Sequence, residues 1–147
     1  MKRIVLILVM VTSPMPGLIH AEVGFDCGQL RAMKVAAPSI GLPTNGAVVT
    51  AAEAVPGAAS GGDHDQATAH GDYCLVTGTI LSIDPGAQHI TFQVALPGNW
   101  NNKALMLGGG GFNGVIPAVA GNLRNVPASA PTPLARGYAV FAGDSGH

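Results

Sequence analysis

Residues Trp100–Gly114 run W-N-N-K-A-L-M-L-G-G-G-G-F-N-G, so an apolar segment, Ala104–Leu107, leads directly into four consecutive glycines. Consecutive glycines carry a high backbone-entropy cost on folding, which a plain structural role does not require. They suit a place where the main chain passes very near a ligand or turns its N–H groups toward one. A strand running into such a loop is one way to make an oxyanion hole, in which backbone N–H groups stabilise the charge that develops in acyl transfer. The alternative is a tight turn and nothing more. A nucleophile for such a hole is missing: no Gly-x-Ser-x-Gly elbow occurs, and the sequence closes on Gly143-Asp144-Ser145-Gly146-His147. A second polar group, His64, Asp65 and His70, has ligand chemistry. It lies in the Gly-rich, polar stretch Ala58–Gly71, which reads as a solvated loop, and no metal is expected there.

The elements that must position these residues follow an unusual start. Lys2 and Arg3 precede the apolar run Ile4–Val11, Pro14, Pro16 and Gly17 interrupt it, and Ile19-His20-Ala21 forms a cleavage site. That is the pattern of a secretory signal peptide over residues 1–21. The run is too short for a stable membrane span, so an anchor is the less favoured alternative. The remaining charged residues are Arg31, Lys34, Lys103, Arg124 and Arg136 against eight acidic ones, a balance of about −3 with no basic cluster. Binding to a phosphate backbone needs clustered Lys and Arg, so nucleic acid is not an expected partner. Cys27 and Cys74 are the two cysteines. In an exported protein such a pair is most simply a disulfide, with two free thiols or a metal pair as alternatives.

Asp26 is placed to cap a short helix over Cys27–Val35 that Pro38 ends. Val48–Val55 is small and β-branched and reads as a strand stopped by Pro56-Gly57. Cys74–Ile83 and His89–Leu96 read as an antiparallel pair around Asp84-Pro85-Gly86. In the second, Ile90, Phe92, Val94 and Leu96 alternate with Thr91, Gln93 and Ala95, the period of a half-buried strand. Lys103–Leu107 and Tyr138–Ala142 are apolar without alternation, as expected of parallel strands covered on both faces. Phe112–Gly137 between them is long enough for a crossover with a helix ending at Pro133–Arg136 and capped by Gly137.

Five segments, in order, now carry a family likeness: Tyr73-Cys74-Leu75-Val76-Thr77-Gly78-Thr79-Ile80, Ile90-x-Phe92-x-Val94-x-Leu96-Pro97-x-x-Trp100-Asn101, Gly108-Gly109-Gly110-Gly111-Phe112-Asn113-Gly114, Arg136-Gly137-Tyr138-Ala139-Val140 and Asp144-Ser145-Gly146-His147. Together they resemble the tannase and feruloyl esterase family, over a span from about Cys27 to His147. The resemblance implies a secreted or periplasmic α/β-hydrolase with a lid domain inserted later, a Ser in a Gly-Cys-Ser-x-Gly-Gly elbow, and an Asp and a His far downstream. No triad member is assigned in this sequence. What matches is the cysteine pair, Cys27 with Cys74, and the glycine loop. By the same resemblance the N–H of Gly109, or of Gly108 and Gly110, would donate to the oxyanion. Asp144 and His147 would sit near the pocket rim, or would fix their own loop through local hydrogen bonds. They are not the triad Asp and His, which follow the Ser in this fold. No cofactor is implied; calcium, which some lids of the family bind, has no residues here.

The expected fold class is therefore α/β: residues 22–147 as the N-terminal part of an α/β-hydrolase mixed sheet, truncated before the elbow and the lid. The expected activity is hydrolysis of a small aromatic ester, with the fragment alone inactive and poorly folded. Two rivals stand against it. Gly143-Asp144-Ser145-Gly146 resembles the nucleophile loop of chymotrypsin-like proteases, but two β-barrels cannot fit between His70 and Ser145. A small secreted non-catalytic β-rich binding module is the other, and it would leave the two apolar strands without cover.

Overall fold

The computed structural model describes residues 26–58, 70–111, 113–127 and 129–147. The expected leader over 1–21 lies outside them, as do His64 and Asp65. No helix among the described residues is long and apolar enough to cross a membrane.

Six strands form one mixed sheet: β1 (Lys34–Val35), β2 (Ala47–Val55), β3 (Tyr73–Ile80), β4 (Ile90–Pro97), β5 (Ala104–Met106) and β6 (Ala139–Gly143), in the order β1-β2-β3-β4-β6-β5. Every pairing is antiparallel except β5 with β6. The β3–β4 hairpin pairs without a slip from Tyr73 opposite Pro97 to Ile80 opposite Ile90. Its turn is tied by Asp84, whose Oδ1 accepts from Gly86 N at 2.8 Å. The expected strand over Tyr138–Ala142 and the parallel pair it makes across a long crossover are both present.

Alternation of side chains gives the sheet two covered faces. On one, the Cys27–Cys74 disulfide packs with Val49, Ala52 and Val76, flanked by Leu30, Val94 and Leu96. On the other, Ala95, Val140 and Ala142 receive Val119 and Leu134 from the crossover. Leu134 is seated by a single helical turn. Thr132, fully buried, accepts from Ala135 N through Oγ1 at 3.0 Å. Gly137, at φ +82°, closes the turn: its N–H reaches Leu134 O at 2.9 Å and that of Tyr138 reaches Pro133 O at 3.0 Å. This is the Schellman arrangement, and a Cβ on Gly137 would also meet Asn99 O at 2.6 Å.

Four expectations need correction. The helix over Cys27–Val35 is a 3-10 turn, Cys27–Leu30, because Lys34 and Val35 pair instead with Val48 and Ala47; Asp26 does cap it, accepting from Gly28 N. The crossover helix is reduced to that one turn, since Pro127, Pro131 and Pro133 withhold donors from any longer helix. β4 is not open along the whole of its second side: Ala95, which alternates with the larger apolar residues, is completely covered by the crossover cluster. β5 is not covered on both faces either. It lies at the edge of the sheet, with Met106 64% exposed, and Phe141 beside it on β6 is 37% exposed.

Two variants test this account by urea unfolding. Leu134→Ala empties a fully packed position and should cost about 2–5 kcal/mol. Replacing Cys27 and Cys74 with serine opens a loop with a sequence separation of 47 and should cost about 4 kcal/mol. Unchanged midpoints would contradict both.

Candidate active-site loop

The site begins where β5 ends. Leu107 N donates to Phe141 O at 2.8 Å, the last rung that ties the strand to β6, and the main chain then leaves the sheet at Gly108. The start of β5 is held as firmly. Trp100 Nε1 donates to Lys103 O at 2.9 Å, and Asn101 Nδ2 donates to Arg136 O at 2.7 Å. Asn101 thereby joins the residues before β5 to the end of the crossover, so the Trp-Asn pair in the sequence is a strand-positioning device.

The four glycines separate by what surrounds them. On Gly109 a Cβ would fall 1.5 Å from Asn113 Oδ1, so a side chain there would displace the Asn113 amide from its place. Gly111 sits at φ +60°, where side chains are strained. Among the described residues, nothing lies within 4 Å of the Cβ position at Gly108, and at Gly110 only Arg124 Nη1 does, at 3.9 Å. Neither has a positive φ. Two of the four thus have a local structural reason, contrary to the expectation that a structural role needs none of them.

Gly108–Gly111 line a cavity of about 1110 Å³ with Leu105, Met106, Val115, Leu123 and Arg124. Asp144 and His147 are not in that lining; the loop that carries them touches Asn113 and Gly114, which are. Asn113 Nδ2 donates to Ser145 Oγ, and the Cβ position of Gly114 lies 3.5 Å from that of His147. Asp144 faces inward to the sheet: its Oδ1 accepts from Thr91 N and from Gly146 N, each at 2.9 Å, and its own N–H donates to Thr91 O at 3.0 Å. Partial burial pushes the Asp144 carboxyl up, but the hydrogen bonds from Gly146 and Thr91 outweigh it and hold it below the ordinary range.

Other candidates are placed elsewhere. His70 forms an isolated bridge with Ala58 and packs edge-on to Tyr73 at 5.0 Å. Ser145 finds Asn113 rather than a histidine, which removes the protease-like arrangement. Ser82 and His89 do approach, Oγ to Nδ1 at 3.0 Å, but that nitrogen also takes the Ser82 N–H, and the hydroxyl faces Asp84 O and Ala87 O within the hairpin turn. Among the described residues no group of three or more His, Cys, Asp or Glu could hold a metal ion. Asn113 and Arg124 are the site residues that sequence reasoning did not single out. Asn113-Gly114 is a turn signal, whereas nothing in the sequence around Arg124 brings it to Gly110.

The chain belongs to the tannase and feruloyl esterase family, whose profile matches residues 74–147, from β3 through the glycine loop to the Asp144–His147 segment. It is similar to an uncharacterized esterase of Agrobacterium fabrum, 41% identical over 121 residues, or 82% of this chain and 21% of that protein. It is also similar to the mono(2-hydroxyethyl) terephthalate hydrolase of Piscinibacter sakaiensis, 33% identical over 79 residues, or 52% of this chain and 13% of that protein. The chain thus spans about a fifth of the length of the first of these relatives.

The depressed Asp144 carboxyl has a consequence for stability. A carboxylate whose folded pKa lies below its unfolded value stabilises the fold above the unfolded value, and that contribution fades as pH falls through the folded one. Asp144→Asn keeps the acceptor oxygen and removes the charge. It should cost less than about 1 kcal/mol at neutral pH, because water screens the carboxylate. The gap to wild type should close below about pH 4, near the ordinary carboxylate value. Urea titrations across that range check it; a gap independent of pH would show that the charge is irrelevant.

Proposed function

We propose that this chain is the N-terminal part of a secreted or periplasmic serine esterase that hydrolyses aromatic carboxylic esters, and that Gly108–Gly110 form half of its oxyanion hole. Family membership and the two relatives named as an esterase and a terephthalate ester hydrolase support ester hydrolysis. The observation that carries the reading is the space that the described residues leave open at Gly108 and Gly110. Packing and backbone conformation account for Gly109 and Gly111; a substrate carbonyl that must reach the main chain accounts for the other two.

The chemistry follows from that placement. An ester carbonyl lying against the loop has its oxygen directed at backbone N–H groups. As a serine attacks and the carbon becomes tetrahedral, negative charge grows on that oxygen, and fixed donors stabilise it more than they stabilise the planar ester. The serine, its base and the acid that orients the base would come from sequence beyond the segments described above, as would a lid and any calcium it binds. The side chains of Leu105, Met106, Val115 and Leu123 suit a flat aromatic acid, and Arg124 suits a polar substituent on it. The free edge of β5 fits a sheet that continues as an α/β-hydrolase. The Cys27–Cys74 disulfide fits an oxidising compartment reached by way of the 1–21 leader.

The test uses the gene product expressed with its own leader and assayed on methyl ferulate and 4-nitrophenyl acetate. Gly108→Ala and Gly110→Ala should leave the melting temperature unchanged. Each should lower kcat by about 10²-fold, the effect of misplacing a reacting group by an ångström or so. Wild-type turnover in both variants would remove the oxyanion assignment, and no turnover in wild type would remove the esterase.

A further inference from the structure

We propose that Asn113 is the positioning residue of the glycine loop: clasped by Ser145, its amide fixes where Gly108–Gly110 carry their N–H groups. The proposal rests on the oxyanion reading for its catalytic meaning, but the clasp itself stands on geometry alone.

Four glycines in sequence have little of their own to hold them, yet a donor that stabilises a transition state must stay within about half an ångström of its place. Some other group must therefore supply the order. Asn113 is the residue in contact with the loop's interior. Its N–H donates to Gly110 O at 3.1 Å, closing a turn over the glycines. Its Oδ1 occupies the space that a side chain on Gly109 would take, and that oxygen is buried with no hydrogen-bond partner among the described residues. An acceptor left unpaired against a backbone is costly, and such a residue stays in place only where the surroundings hold it.

What holds it is the bond from Nδ2 to Ser145 Oγ, across 32 residues of sequence. Both partners lie in the left-handed region, Asn113 at φ +68° and Ser145 at φ +60°. Asparagine tolerates that conformation better than most residues; serine does not share the advantage. Ser145 in turn is fixed by Asp144, whose carboxylate takes N–H groups from Thr91 on β4 and from Gly146. The order of the central sheet thus passes from Thr91 through Asp144 and Ser145 to Asn113, and from there to Gly109. His147 lies close by, its Cβ 3.5 Å from where a side chain on Gly114 would begin.

The experiment compares wild type, Asn113→Gly, Ser145→Ala and the double variant in the gene product as naturally encoded. Glycine keeps the left-handed conformation at 113 while removing the amide, and Ser145 is exposed, so its loss of a hydroxyl leaves folding intact. Two readouts are taken: kcat and KM for methyl ferulate, and amide hydrogen exchange of the 108–114 segment by mass spectrometry. Each single variant should lower kcat about tenfold to a hundredfold with KM within twofold, as expected of lost orientation rather than lost binding. The double variant should fall no further than the worse single, because one bond is being removed twice. Exchange should accelerate in all three. Kcat values that multiply in the double variant, or exchange that does not change, would overturn the clasp. If wild type hydrolyses no ester, the oxyanion reading fails separately, and exchange alone decides: faster in both single variants upholds the clasp, and equal rates reject it.

Discussion

Everything at the site depends on β6, which pairs antiparallel with β4 on one side and parallel with β5 on the other. β5 has three residues and no second neighbour among the described residues, so its place is set by the rungs it shares with β6. Those rungs run from Ala139 N on Lys103 O at 3.0 Å to Leu107 N on Phe141 O at 2.8 Å, and the glycine loop starts one residue later. β6 is in turn immobilised by burial: Val140 lies opposite Ala95, both wholly covered, beneath Leu134. A three-residue edge strand would fray alone. Here it inherits the rigidity of the sheet's most buried point, and so does the loop that leaves it.

The two ends of β5 are governed by different devices. At its start, Trp100 and Asn101 lock the approach to the crossover's end, where Lys103 and Arg136 flank the Tyr138 ring at 5.9 and 5.6 Å. At its far end no side chain of β5 controls the loop. Control comes instead from the segment after β6, through Asp144 and Ser145. That segment follows the buried strand directly, so both strands of the parallel pair deliver their loops to one end of the sheet. In α/β sheets this is the end where ligands bind.

Local signals and the two strand pairings they imply were legible; burial and position within the sheet were not. The β3–β4 hairpin follows from period-two alternation and an Asp-Pro-Gly turn, and its bounds shift by only a few residues. Gly137 as a helix-ending residue follows from its place after the Pro133-Leu134-Ala135-Arg136 run, even though the helix it ends is one turn long. The burial of β5 could not be read, because composition reports that Ala104–Leu107 is apolar but not that it would lie at an edge. Ala95 shows the converse: it alternates with larger side chains and looks solvent-facing, yet the crossover passes over it. Both errors come from packing between segments far apart in sequence. The same holds within the site. The glycine run is visible at once, while Asn113 and its partner Ser145 are joined by a contact that no spacing rule encodes.

The structure also changes what the glycine run means. Four identical residues invite one explanation, but they divide into a scaffold pair and an open pair. Gly109 and Gly111 are what let the chain fold back so that Asn113 can reach inside it. Gly108 and Gly110 present bare backbone to the cavity beside Arg124. Catalytic use of a backbone donor needs both conditions at once: an approach free of side chains, and a main chain that does not yield when charge appears on the substrate. Glycine supplies the first and works against the second. The resolution is spatial, with permissive residues at the surface of the loop and an asparagine, tied to the sheet through Ser145 and Asp144, at its centre.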